Sequence, residues 1–217
     1  MKTQLNTLLN RVDTRLAACA AAAGASLAIV PSSDANIVYS GPVAIIIFSD
    51  NIGVYLNVVT GVNNPNPALV PGWDVNPYGT AALTMFSPAA PPGGQVYVGS
   101  GGYFNLTLGT LISAASTYSS GNLSGTSPNP LNFNTSNNII GFRFQNEVTG
   151  TVQYGWFQVS LSSGQATQPR TIVAYAYEDT GAPIAAGAIP EPTTFALMGV
   201  MAIGALGVRE WRKCKAA

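Results

Sequence analysis

Apolar residues in the middle of the chain come in short runs rich in β-branched and aromatic side chains. Each run stops at glycine, proline, asparagine or aspartate, which is the punctuation of strands and turns. Ile37-Val38-Tyr39 and residues 43–48 are two such runs, split by Gly41-Pro42. Asp50, Asn51 and Gly53 mark a turn before a strand predicted over 54–59. From 63 to 78 the chain reads as a loop carrying Trp73 and Tyr78, broken by Pro65, Pro67, Pro71, Gly72 and Pro77. A strand is predicted over 81–86, whereas the prolines and paired glycines of 88–94 exclude regular structure. Residues 95–98 and 103–108 flank Gly99-Ser100-Gly101-Gly102 and predict a hairpin. Residues 111–118 fit either one helical turn or an edge segment, and 119–138 reads as a loop with one short strand at Leu131-Asn132-Phe133.

The last third has the clearest period. Ile140, Phe142 and Phe144 alternate with Gly141, Arg143 and Gln145, the pattern of a half-buried strand. After a turn over 147–150, Val152, Tyr154 and Trp156 take one phase, and Phe157, Val159 and Leu161 take the other. A phase change inside one strand predicts a bulge near Gly155. Residues 171–177 form a further strand, closed by Gly181-Ala182-Pro183. About ten short strands with Gly/Pro turns predict an all-β fold, an antiparallel β-sandwich or jelly roll. Some ~150 residues bury enough apolar surface to fold alone. No internal repeat is visible.

Two longer apolar runs stand at the ends. Residues 16–30 follow Lys2, Arg11 and Arg15 and precede Ser33-Asp34-Ala35, which predicts a signal peptide over 1–35 cut by signal peptidase before Asn36. At the other end, Pro190 and Pro192 stiffen Pro190-Glu191-Pro192 into an extended, accessible segment. Residues 193–208 carry no charge, and Arg209, Arg212, Lys213 and Lys215 follow. An uncharged run satisfies its backbone in lipid only as a helix, here ~24 Å long and just sufficient for a thin hydrocarbon core. The basic cluster then stops transfer and stays cytoplasmic. The expected organisation is a signal peptide (1–35), a β-domain (36–189) and a C-terminal segment (190–215) with a transmembrane helix over 193–208.

Charge sharpens this division. Only 8% of residues are charged, against about a quarter in ordinary soluble domains. Within 36–189 the basic residues are Arg143 and Arg170, against Asp50, Asp74, Glu147, Glu178 and Asp179, a formal charge of −3. Nucleic-acid binding, which needs basic patches, is excluded. Cys19 and Cys214 both lie in the two predicted disposable ends, so the mature domain has no thiol, and the chain has no histidine.

The order of the C-terminal pieces resembles the PEP-CTERM sorting signal of Gram-negative bacteria that make exopolysaccharide. The resemblance covers residues 189–215; Glu210, Trp211 and Cys214 interrupt the basic run where the family pattern has none of them. It implies processing near Pro190-Glu191-Pro192 by an exosortase, an integral-membrane cysteine protease. It also implies an inner-membrane precursor and a final location in the cell envelope or outside the cell. An ordinary C-terminal membrane anchor is the alternative. Gly141-Phe142-Arg143-Phe144, Tyr154-Gly155-Trp156-Phe157-Gln158-Val159, Ala174-Tyr175-Ala176-Tyr177-Glu178 and Pro183-Ile184-Ala185-Ala186-Gly187 are similar to a segment of exported proteins of this class. That likeness implies a β-rich passenger and carries no functional residue with it.

The chemistry on offer is sparse. Without histidine or cysteine, the mature domain cannot build Ser-His-Asp, Cys-His or ordinary zinc sites. Asp50, Asp74, Glu147, Glu178 and Asp179 could supply a hydrolytic carboxylate pair, but nothing in their spacing favours it, and Glu178-Asp179 at a strand end is expected to face water. Asp50, Asn51, Asp74 and Asn76 offer oxygens suited to calcium without a dense ligand loop, and read as turn residues. Gly99 to Gly102 is no phosphate loop, since no Lys-Ser/Thr follows. Trp73 and Tyr78, placed in a loop, are the candidates for stacking on sugar rings, whereas Trp156 reads as core. The expectation is a non-enzymatic exported protein without cofactor, with a carbohydrate-binding module for exopolysaccharide as the alternative.

Overall fold

A computed structural model describes residues 36–88, 94–99, 102–103, 105–125 and 130–190. The predicted signal peptide, Glu191, Pro192, the apolar run 193–208 and the basic cluster Arg209, Arg212, Lys213 and Lys215 lie outside the described residues. Those described are all-β, with no α-helix and none long and apolar enough to cross a membrane.

Strand β1 (Ile37–Tyr39) matches its apolar run, whereas β2 (Ile45–Ile46) and β3 (Tyr55–Leu56) fall inside theirs and are shorter. The stretch 63–78 is not all loop. It holds β4 (Asn63–Asn64), a single 3-10 turn at Pro67–Leu69 capped by the Asn66 side chain, and β5 (Asn76–Tyr78). Pro77 is tolerated in β5 because its carbonyl still accepts from Val54 N at 3.1 Å and only one ladder donor is lost. Strand β6 (Thr84–Ser87) pairs with β5, and β7 (Gln95–Gly99) pairs with β8 (Gly102–Tyr103) in a hairpin, although of the expected second arm, 103–108, residues 105–108 are not strand.

The stretch 111–118 holds both an extended piece and a turn: β9 (Leu111–Ile112) leads into a turn closed by Ser116 N on Ser113 O at 3.0 Å, then β10 (Tyr118–Ser119) and β11 (Gly121–Ser124) follow. Leu131-Asn132-Phe133 is not a strand. The buried Asn138 side chain takes Asn132 N at 2.6 Å and donates to Asn132 O at 2.9 Å, so a side chain satisfies the backbone that a ladder would otherwise have to. The long strands β12 (Thr135–Gln145), β13 (Val152–Leu161) and β14 (Arg170–Glu178) follow, and β15 (Ile184–Ala185) pairs with β9.

The main sheet runs β1-β14-β13-β12-β7-β10, with β2 also on β14 and β8 on β7. A second sheet, β11-β6-β5, is three-stranded and antiparallel. The main sheet is buried on both faces. Ile140, Phe142, Phe144, Phe157, Val159, Leu161, Ile172, Tyr175 and Tyr177 meet Leu56, Val75, Leu83 and Met85 on one side. Ile139, Tyr154, Trp156, Ala174 and Ala176 meet Leu106, Ile112, Ile184 and Ala186 on the other. Burying a side chain such as Phe142 or Phe157 contributes about 1.5–3 kcal/mol each.

This double burial corrects two expectations. The 140–144 strand is not half-buried, since Gly141 lies against Leu106 and Ile112. Nor is there a bulge at Gly155, where β12 and β13 stay in continuous register with Phe142 opposite Gly155. Tyr154 and Trp156 simply face one core and Phe157, Val159 and Leu161 the other. A bulge lies instead on β14, where Gln158 faces Ala174 and Val159 faces Ile172, leaving Val173 without a partner on β13 while its carbonyl accepts from Val43 N at 2.8 Å.

Candidate functional site

Along 54–56 the period is strict: Val54 and Leu56 are buried in the core, so Tyr55 points the other way. The same logic holds on β6, where buried Met85 separates Thr84 from Phe86. On β11, Leu123 packs inward while Asn122 and Ser124 are exposed. Register then aligns this face, with the exposed Asn122 and the buried Asn76 opposite Phe86, and Tyr78 and Ser124 opposite Thr84. An antiparallel bridge between Leu56 and Val75 carries β3 along the free side of β5.

Trp73 leaves the loop and lies between the outward aromatics. Its ring is 4.9 Å from Tyr55, edge to face, and 5.9 Å from Phe86. Tyr55, Trp73, Tyr78 and Phe86 are all half-buried. Burial, and next the neighbouring Tyr55 phenol, raise the Tyr78 hydroxyl above its ordinary range. Gly53, at φ 68°, lets the chain pass close over Tyr78, since any side chain there would strike Pro77 O and the Tyr78 backbone. A shallow depression of about 460 Å³ adjoins the row, lined by Ile52, Tyr55, Pro65, Asn66 and Pro67. Trp73 and Tyr78 therefore belong to one surface, and Tyr55 and Phe86, which sequence reading passed over, belong to it as well. The outward phase of their strands was the signal that could have found them.

Beneath the row the loop is fixed by polar side chains. Asn57 is buried, donating to Pro71 O at 2.9 Å, Gly72 O at 3.1 Å and Glu147 Oε1 at 3.0 Å. Its Oδ1 accepts from Val59 N and Thr60 N. Asp74 Oδ2 accepts from Val58 N at 2.9 Å, while Oδ1 is buried without a hydrogen-bond partner. Burial pushes the Asp74 carboxyl up to about 8 against the pull of the Val58 N–H, and the Glu147 charge adds to the rise. Asp74 is thus largely protonated at neutral pH. Asn76 donates to Ile52 O and Val54 O at 3.0 and 3.1 Å.

The other charged groups also serve the fold. Asp50 Oδ1 holds its own turn by accepting from Ile52 N at 2.9 Å and Gly53 N at 2.6 Å. Glu178 does not face water. It is fully buried and accepts from Thr180 N, Thr180 Oγ1 and Ala182 N at 2.5–3.1 Å. Asp179 accepts from Asn36 Nδ2 at 2.8 Å. Arg170 is fully buried and donates to the carbonyls of Ile47, Phe48, Gly79 and Gln165. Arg143 grips Gln95 Oε1 and lies 4.4 Å over the Tyr118 ring. Among the described residues no three histidine, cysteine or acidic side chains converge. Pro190 is described and exposed; its partners in the C-terminal motif are not. No family model, curated protein or solved structure matches the chain.

Proposed function

We propose that this chain is an exported, non-enzymatic protein of the cell envelope or extracellular matrix, sorted through its C-terminal signal. The observation that carries the reading is the order of pieces behind β15: Pro190-Glu191-Pro192, sixteen uncharged residues, then Arg209, Arg212, Lys213 and Lys215. A stiff proline-flanked carboxylate, a hydrophobic stretch and a cytoplasmic cation cluster suit an exosortase acting at the membrane face. The β-domain is read as a two-sheet sandwich, with β11-β6-β5 lying over one face of the main sheet. Glu191→Ala in a host with its exosortase tests the sorting. The uncut precursor is expected to accumulate in the inner membrane, and processing as fast as wild type would overturn the reading.

A second reading, binding of exopolysaccharide, is favoured by the Tyr55–Trp73–Phe86 row. Half-exposed aromatic faces beside Thr84, Asn122 and Ser124 combine stacking surface with hydroxyl and amide partners for sugars. Among the described residues the two arginines are engaged elsewhere, so a neutral polysaccharide fits better than an anionic one. A glycan array probed with the exported form and with Trp73→Ala tests this reading.

A further inference from the structure

On the β9–β15 ladder, Ile112 and Ile184 turn inward and are buried, whereas Leu111, paired with Ala185, turns outward. Leu111 is 57% exposed, and its neighbours Leu108 and Ile189 are 74% and 51% exposed. They sit close together. Gly109 N bonds Ala186 O at 3.0 Å, Ala186 N bonds Thr110 O at 2.8 Å, and the Leu108 side chain lies against Gly187. Neither 105–112 nor 183–189 contains a charged residue. An exposed, charge-free apolar patch on an otherwise well-packed domain marks a contact surface.

The chain itself says what the contact is. The Trp156 indole donates to Ala188 O at 3.0 Å and fixes the exit of the polypeptide beside this patch. From Ile189 to Thr193, where the uncharged run begins, is four residues, roughly 14 Å even when fully extended. Pro190 and Pro192 shorten the choice of paths further. We propose that Leu108, Leu111 and Ile189 form a membrane-resting surface, seating the domain on the lipid bilayer while the 193–208 run is inserted. The proposal rests on reading that run as membrane-spanning. Lipid, rather than a second copy, is the occupant because so short a tether keeps the patch close to the bilayer, where exposed apolar side chains gain by burial at the headgroup boundary.

The test uses the full-length chain with Cys19→Ser and Cys214→Ser, isolated from the membranes of a host without exosortase and reconstituted in phosphatidylcholine vesicles. Single cysteines replace Leu108, Leu111 or Val148 and carry a polarity-sensitive fluorophore. Val148 is the control. It is 83% exposed, in the turn beyond Gln145. Leu106 bonds β12 at Ile139, toward the other end of that strand, some ~20 Å away. Brominated acyl chains are expected to quench the labels at 108 and 111 and to leave the label at 148 unchanged. Flotation after an alkaline wash, compared with a chain ending at Pro190, reports separately on membrane insertion. Insertion with equal, unquenched labels at all three positions overturns the lipid surface alone. Flotation that does not depend on residues 191–217 overturns the spanning reading and the surface with it. Cross-linking between labelled copies without quenching assigns the patch to self-association and likewise overturns the proposal.

Discussion

Phe142 and Gly155 face one another across β12 and β13, and the Phe142 ring fills the space that a side chain at 155 would need. A Cβ on Gly155 would lie 2.6 Å from Phe142 Cζ and 2.7 Å from Ala176 O. The Phe142 ring is buried against Phe144 and Phe157, and Ala176 belongs to a paired strand. Gly155→Ala is expected to destabilise the domain by about 1–3 kcal/mol, as overpacking does. Urea melts of the two proteins measure it, and an unchanged midpoint would mean that the ring is free to shift.

Arg170 is buried among carbonyl oxygens of Ile47, Phe48, Gly79 and Gln165 and has no carboxylate partner within salt-bridge reach among the described residues. It ties the loop after β2, the turn before β6 and the loop before β14 to one guanidinium. Arg170→Leu leaves those carbonyls unpaired and is expected to cost about 3–5 kcal/mol. Arg170→Lys recovers only part of this loss, because an ammonium lacks the planar fork. Thermal melts of both variants decide the order.

Asp74 makes stability fall as pH rises. Its folded-state pKa of about 8 lies above the unfolded value, near 3.9. Between those values the native state holds a proton that the unfolded state has released. The stabilisation is complete below the unfolded pKa and is lost as pH climbs toward 8, at up to about 1.4 kcal/mol per pH unit. Asp74→Asn keeps an oxygen for Val58 N and is expected to flatten the pH profile between 5 and 8. A slope equal to that of wild type would place its origin elsewhere.

If sugars bind at the aromatic row, Trp73→Ala removes the ring that bridges Tyr55 and Phe86. Affinity for a neutral polysaccharide is expected to drop about ten-fold, or ~1.4 kcal/mol. Phe133→Ala, which alters an exposed aromatic outside the row, is the control and should bind as wild type. Titration calorimetry on folded variants reads the difference.

The long strands were legible because Ile140, Phe142 and Phe144, and again Tyr154 to Leu161, alternate strongly enough to show their period. The face assignment was not, because a period of two does not say whether one side or both are covered. The supposed bulge at Gly155 came from assuming a single core. The buried states of Asp74, Arg170 and Glu178 were illegible for a related reason. Asp74 and Arg170 are matched mainly by backbone groups far along the chain, and Glu178 by the turn that follows it, Thr180 and Ala182, which the strand pattern does not encode. Trp73 and Tyr78 stood out as loop aromatics, while Tyr55 and Phe86 join them only through the register of β3, β5 and β6. The strands at Asn63–Asn64 and Asn76–Tyr78 were hidden by prolines.

Covering both faces of β12, β13 and β14 also shapes the life of the chain before it folds. These three segments carry apolar side chains on both faces, and until the sheet closes they are the most adhesive part of the β-domain. Arg143, Gln145, Gln158, Arg170 and Glu178 interrupt them, and such polar residues act as gatekeepers against strand stacking between chains. The strands are consecutive in sequence and pair in a simple meander. Their contacts therefore close over short loops and early, ahead of the more distant β1 and β7 pairings. The part of the β-domain most prone to aggregate is thus the part best placed to hide itself first.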